Sequence, residues 1–208
     1  LPNGFYVEEM TNSYVGRFIF ENGKDLYGNS WPLLYFDKFG DYPPILPLYL
    51  SAVPTFIFGV NEFGARFATA FLGALIVFPM YSLAMLFFGN KKISLFTALF
   101  IAILPWHIAL SRTSAEGIIG LTVLAYAFLL VLRGVSEKNT ASLFWSFALF
   151  FLTYSLYPSL RVLVPLALLP LPFFTNAANI KIKRILFIAI IFFFGLTLAI
   201  GLTDWGKA

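Results

Sequence analysis

The chain has 208 residues, of which 60% are hydrophobic and 12% charged. Soluble domains run closer to roughly 45–50% apolar and 25% charged, so this composition, with a mean hydropathy of +0.84, excludes a soluble globule. The net charge of +4 does not imply nucleic acid, and the absence of cysteine removes disulfides, thiolate metal sites and Cys nucleophiles from consideration.

The chain opens at Leu1 without an initiator Met and stops at Ala208 just after an apolar run, and we expect an internal fragment of a longer protein. Residues 1–65 read as one external polar module. Within it, Pro43 to Phe58 is apolar but only sixteen residues long and carries four prolines. A span needs roughly 20 residues, with about 17 as the lower limit, so an interfacial or re-entrant helix is expected there. Six windows then follow: Phe67 to Phe88, Ile93 to Leu110, Gly117 to Leu132, Ala141 to Tyr157, Leu163 to Phe174 and Ile185 to Leu202. The expected fold is therefore all-α, a polytopic transmembrane bundle of about six spans over residues 66–208, with juxtamembrane helices in a long first external loop.

Charge placement orients the windows, because Lys and Arg are retained on the cytoplasmic side in short loops. Lys91 and Lys92, then Arg133 and Lys138, then Lys181, Lys183 and Arg184 mark three inner loops. By alternation Pro105 to Glu116, Tyr157 to Arg161, residues 1–65 and the Asp204 end face outward. Of the ten acids only Glu137 falls inside. No Asp, Glu, Lys or Arg sits at the middle of a window, where it would point to an ion pathway.

Two polar clusters share the outer face. The tandem Glu8 and Glu9 repel each other, which raises a carboxyl's proton affinity and suits a general base or a hard-cation ligand. The plainer alternative is a helix start, where first-turn acids favour the macrodipole. The second cluster runs from Pro105 to Gly117 and holds Trp106, the only histidine, His107, then Arg112 and Glu116. Arg112 suits a lipid phosphate through paired N–H donors. Alternatively the cluster is an aromatic belt with a snorkelling arginine and a helix-starting glutamate.

The order Gly4-Phe-Tyr-Val-Glu-Glu9, Gly23-Lys-Asp-Leu-Tyr-Gly28, Pro32-Leu-Leu-Tyr-Phe36, Phe39-Gly-Asp-Tyr-Pro-Pro44, Phe58 to Phe67 and Pro105-Trp-His-Ile108 through Ser111-Arg112 resembles the GT-C glycosyltransferases. More narrowly it is similar to the family 39 group of protein O-mannosyltransferases and lipid A aminoarabinose transferases, over about residues 1–135. The resemblance implies a multi-span plasma-membrane enzyme that moves a sugar from a polyprenyl-phosphate carrier, usually with inversion, to a protein, lipid or glycan hydroxyl on the outer face. It also implies a further helix before Leu1 and more chain after Ala208.

Carried over by position, Glu8 and Glu9 match the family's acidic pair, and either serves as the catalytic base. Asp41 matches a metal-binding acid, which makes a divalent cation an implied cofactor. Tyr42 runs directly into Pro43, where relatives often carry a phosphate-touching lysine; carrier-phosphate binding then falls to Arg112, Arg66 or Lys38. Glu116 matches the acid that completes the family's site at the outer start of a later helix. His107 and Tyr42 are substrate-binding candidates, Tyr42 bordering sugar or prenyl chain. The rival reading is a transporter or flippase of lipid-linked glycans, which calls for charged or broken mid-membrane helices and inverted repeats.

Overall fold

The computed structural model describes residue 4 and residues 6–37, 40, 42–113, 115–174 and 180–203. Among these residues the regular secondary structure is all helical, with two isolated β-bridges in the loop between α1 and α2. The external module contributes α1 (Val7–Asn22) and α2 (Ile45–Phe58). The rest of the chain forms α3 (Glu62–Leu75), α4 (Val77–Phe88), α5 (Lys91–Ile103), α6 (Pro105–Ser111), α7 (Glu116–Ser136), α8 (Thr140–Tyr154), α9 (Leu160–Leu168), the single turn α10 (Leu171–Phe174) and α11 (Ile180–Gly201).

Three runs are long and apolar enough to cross a bilayer: α3 with α4 (27 residues), α7 (21) and α11 (22). At 1.5 Å per residue each reaches the roughly 30 Å of a hydrocarbon core. The pair α5 and α6 makes a fourth if its 53° bend is crossed as one span. That bend has a local cause. Leu104 precedes Pro105, whose ring disfavours helical geometry in the residue before it, and Leu104 is extended at ψ 118°. The windows at Ala141 to Tyr157 and Leu163 to Phe174 fall on shorter helices, α8 and the broken pair α9 and α10.

Many large apolar side chains on these helices are exposed, Phe71, Phe78, Phe96, Phe144, Phe151 and Ile191 among them. Such a surface is stable only against lipid, and the protein is an integral membrane protein. Asparagines start the apolar helices: Asn61 accepts from the Gly64 N–H at 2.9 Å, Asn90 from Lys92 at 2.9 Å, and Asn139 from Ala141 at 3.0 Å.

The helices α7 and α8 form an antiparallel hairpin, with Gly134 against Leu143 at one end and Gly120 against Leu156 and Leu160 at the other. With α9 and α11 they enclose the largest core, around Phe150, Tyr154, Val164, Leu168 and Phe193. In the module, α1 lies on α2 around Val15, Ile19, Ile45 and Leu48. Its Gly16 permits the contact, since a Cβ there would sit 2.8 Å from that of Ala52. Tyr49 on α2 donates to the Pro32 carbonyl at 2.7 Å, and burial, then the nearby Asp25 carboxylate, push its phenol up. It therefore remains a neutral donor at ordinary pH and pins the 23–37 loop. Asp25 is committed within that loop, accepting the N–H groups of Tyr27 and Asn29 at 2.9 and 2.8 Å.

The close approach of α3 to α6 depends on Gly73. A Cβ there would collide with the Ser111 hydroxyl and stand 3.1 Å from Ile118. Gly73→Leu is expected to destabilise the protein by about 1–3 kcal/mol through overpacking, read as a lower melting temperature in detergent.

Candidate functional site

Helix α1 begins at Val7, so Glu8 and Glu9 both stand in its first turn. One residue apart on a helix, they point about 100° from each other. Glu9 lies on the inward stripe with Asn12, Ser13, Gly16 and Ile19, whereas Glu8 is exposed. The two carboxylates therefore have different chemistry.

Glu9 is 1% exposed and faces Arg66 of α3, itself 6% exposed. The guanidinium grips it as a fork, Nε donating to Oε1 and Nη2 to Oε2, both at 2.9 Å. The Tyr6 backbone N–H adds a third donor at 3.2 Å, the capping contact that acids in a first turn favour. Arg66 also donates to the Gly4 carbonyl at 3.0 Å and to Glu62 at 3.3 Å, and Glu62 in turn accepts the Gly4 N–H at 2.9 Å. This closed network ties the segment leading into α1 to the start of α3. It occupies both oxygens of Glu9.

One turn after Glu8 on the same side of α1, Asn12 donates to Glu116 Oε1 at 3.0 Å across 104 residues. Glu116 is half-buried in the first turn of α7. Asn12 thus ties the first turns of α1 to the start of α7 at one end of the bundle, opposite the end carrying the turns at Lys91 and Lys138.

The remaining candidates are spread around this centre. Arg112 is exposed at the C-cap of α6. His107 is buried on α6, edge-on to Trp106 at 5.9 Å, and its Nε2 has no hydrogen-bond partner among the described residues. Tyr42 is half-buried and packs edge-on against Tyr35 at 5.3 Å, and Tyr35 rests on the core of α7, α8, α9 and α11. Asp41 and Lys38 lie outside the described residues. Among those that are described, no three His, Asp or Glu side chains gather as a metal cage.

Sequence reasoning did not single out Glu62, Asn12 or Arg161. The first two had a readable signal, since Glu62 precedes Arg66 by four residues and Asn12 follows Glu8 by four, the spacing of facing side chains on a helix. Arg161 was legible only as a charge in an outward loop. It is 5% exposed, and its Nε donates to the Tyr154 carbonyl at 3.2 Å, where α8 ends.

Membrane-crossing apolar helices with an acidic cluster at one end define the class in outline, and sequence comparison completes it: the chain is a membrane glycosyltransferase of the GT-C type, a class that draws on polyprenyl-phosphate-linked sugars. Residues 41–202 match the model of the dolichyl-phosphate-mannose-protein mannosyltransferase family, and the chain belongs to that family. No curated protein and no solved structure matches it. The match includes Arg66, His107, Arg112, Glu116 and Arg161 and begins after Glu8 and Glu9.

Proposed function

We propose that the chain carries the transfer site of a multi-pass enzyme working on the extracytoplasmic face, with Glu8 as general base and Glu9 as a structural anchor. The observation that carries this reading is the contrast between the neighbours: Glu9 is buried with both oxygens held by Arg66, and Glu8 is exposed one turn from the Asn12–Glu116 pair. Glu8 takes the proton of the acceptor hydroxyl as that oxygen attacks the anomeric carbon. The bond from that carbon to the carrier phosphate breaks, polyprenyl phosphate leaves with the bonding electrons, and the sugar is passed on with inversion.

Asn12 holds the Glu116 carboxylate in place at the start of α7. Arg112 offers an exposed guanidinium for phosphate charge. The implied cation would fall to Asp41, since among the described residues no three acids gather to hold one. Asn12→Ala is expected to cut transfer about 10-fold through a misplaced Glu116 and to lower the melting temperature by a few degrees, since a buried hydrogen bond to a carboxylate is lost.

The test is transfer of radiolabelled sugar from a panel of polyprenyl-phosphate sugars in membranes containing the full-length protein, with the product anomer read by NMR. Transfer with the opposite anomeric configuration supports the reading. Transfer with retention overturns the single-displacement mechanism, and no transfer from any donor shifts the assignment to a transporter of lipid-linked glycans.

A further inference from the structure

Helix α6 has seven residues, and the two it buries, His107 and Ser111, are both polar. Its apolar side chains Trp106 and Leu110 are exposed. Apolar residues turned outward are ordinary on a helix against lipid, but polar residues turned inward ordinarily hydrogen-bond across the seam. Here His107 Nε2 and the Ser111 hydroxyl are buried without a hydrogen-bond partner among the described residues, and so is the hydroxyl of Thr69 on the facing helix α3. Elsewhere in the bundle buried hydroxyls bond a carbonyl about one turn back, as Ser13, Ser94, Thr122, Ser146 and Thr153 do at 2.6–3.0 Å.

Thr69 stands one turn before Gly73 on α3, and His107 one turn before Ser111 on α6. The two helices touch at Gly73 and Ser111, where a Cβ on Gly73 would lie 3.0 Å from that of Ser111. Three buried polar groups without partners make this seat costly, because each has given up water and gained no bond. No apolar residue of α6 is buried there to offset it. The joint behind α6 also lacks the hydrogen bond that would stiffen it: Pro105 has no N–H to continue the α5 ladder, Leu104 is extended at ψ 118°, and the axes bend by 53°. Arg112 stands exposed at the far end of this arm.

We propose that the seat of α6 on α3 is a resting position, and that α6 swings about Leu104–Pro105 when a phosphate charge reaches Arg112, taking His107 and Ser111 out of the seam to the water of the outer face. A ligand shifts such an equilibrium only through a contact that it makes better in one position, and Arg112 is the charged group that the swing displaces. The inference rests on the role proposed above for Arg112 and adds the movement that brings it to the phosphate. Transfer then requires the arm to move, so the donor itself assembles the site.

The experiment locks the arm in the full-length protein, freed of other cysteines and held in nanodiscs. Gly73→Cys with Ser111→Cys brings two thiols within reach of a disulfide, which needs about 3.5–4.5 Å between Cβ atoms. Oxidation is expected to lower sugar transfer at least about 20-fold, and reduction to restore it. Oxidised protein that transfers like its reduced form would overturn the proposal. Thr69→Val and Ser111→Ala test the same seam without a crosslink. Each removes an unpartnered hydroxyl from the resting seat, so each should raise the melting temperature by about 2–4 °C and slow transfer about threefold. A lower melting temperature in both would show hydroxyls that were paired in the seat, and would overturn the proposal too. Spin labels on the exposed positions Ala109 and Ala141 read the swing itself. Saturating polyprenyl phosphate is expected to shift their distance, and an unchanged distance contradicts the swing. A shift without transfer from any donor would sink the proposed transfer role alone, and transfer in the oxidised protein would sink the arm alone.

Discussion

Arg66→Met is expected to lower the stability of the protein by about 3–5 kcal/mol, because it leaves the Glu9 carboxylate buried without its counter-charge. The pair is deeply enclosed, and the fork carries two charge-assisted hydrogen bonds at 2.9 Å. The same substitution also releases the Gly4 carbonyl and the Glu62 carboxylate. Arg66→Lys preserves charge and loses the planar fork, so it should recover only part of the loss. Thermal unfolding in detergent reads both. A double variant, Arg66→Met with Glu9→Leu, is expected to be more stable than Arg66→Met alone, since it removes the orphaned charge along with its partner. If the double variant is no better, the pair is not the anchor of α1.

Glu8→Gln should lower the rate of sugar transfer by about 10²–10⁴-fold, the range a positioned general base contributes. The change keeps the size and position of the side chain and removes the proton acceptor. Because Glu8 is exposed in the first turn of α1, folding should be almost indifferent to it, and donor binding should be unchanged. Glu8→Asp retains a carboxylate with a shorter reach and should keep measurable transfer. The readout is kcat at saturating donor and acceptor, normalised to folded protein.

The hydropathy windows at Phe67 to Phe88, Gly117 to Leu132 and Ile185 to Leu202 match the three runs long enough to cross a bilayer, because long apolar helices carry their own signal. Less legible was how short elements meet. The stretch Pro43 to Phe58 reads as an interfacial or re-entrant helix, and it forms a helix 14 residues long, shorter than the three spanning runs. That it would receive α1 through Gly16 is a packing fact with no periodic signature. The bend at Pro105 was visible only as an interruption.

The site shows the same division. Sequence placed Glu8, Glu9 and Glu116 on one face through the alternation of Lys and Arg, and the structure brings α1 to α7 through Asn12 and Glu116. What separates Glu8 from Glu9 is helix phase together with a partner, Arg66, that lies 57 residues away. Neither carboxylate's role follows from their adjacency. Arg161 escaped notice because burial of a charge depends on three helices closing around it, which no local pattern encodes.

If the two adjacent acids divide catalysis from structure, their amides should differ in opposite readouts. Glu8→Gln and Glu9→Gln are made in the full-length protein, and each is measured for radiolabelled sugar transfer and for melting temperature. Glu8→Gln is expected to lower transfer by about 10²–10⁴-fold in a protein that melts like wild type, while Glu9→Gln melts early and keeps transfer in proportion to the folded fraction. The reverse pattern, or transfer indifferent to Glu8→Gln, would contradict it.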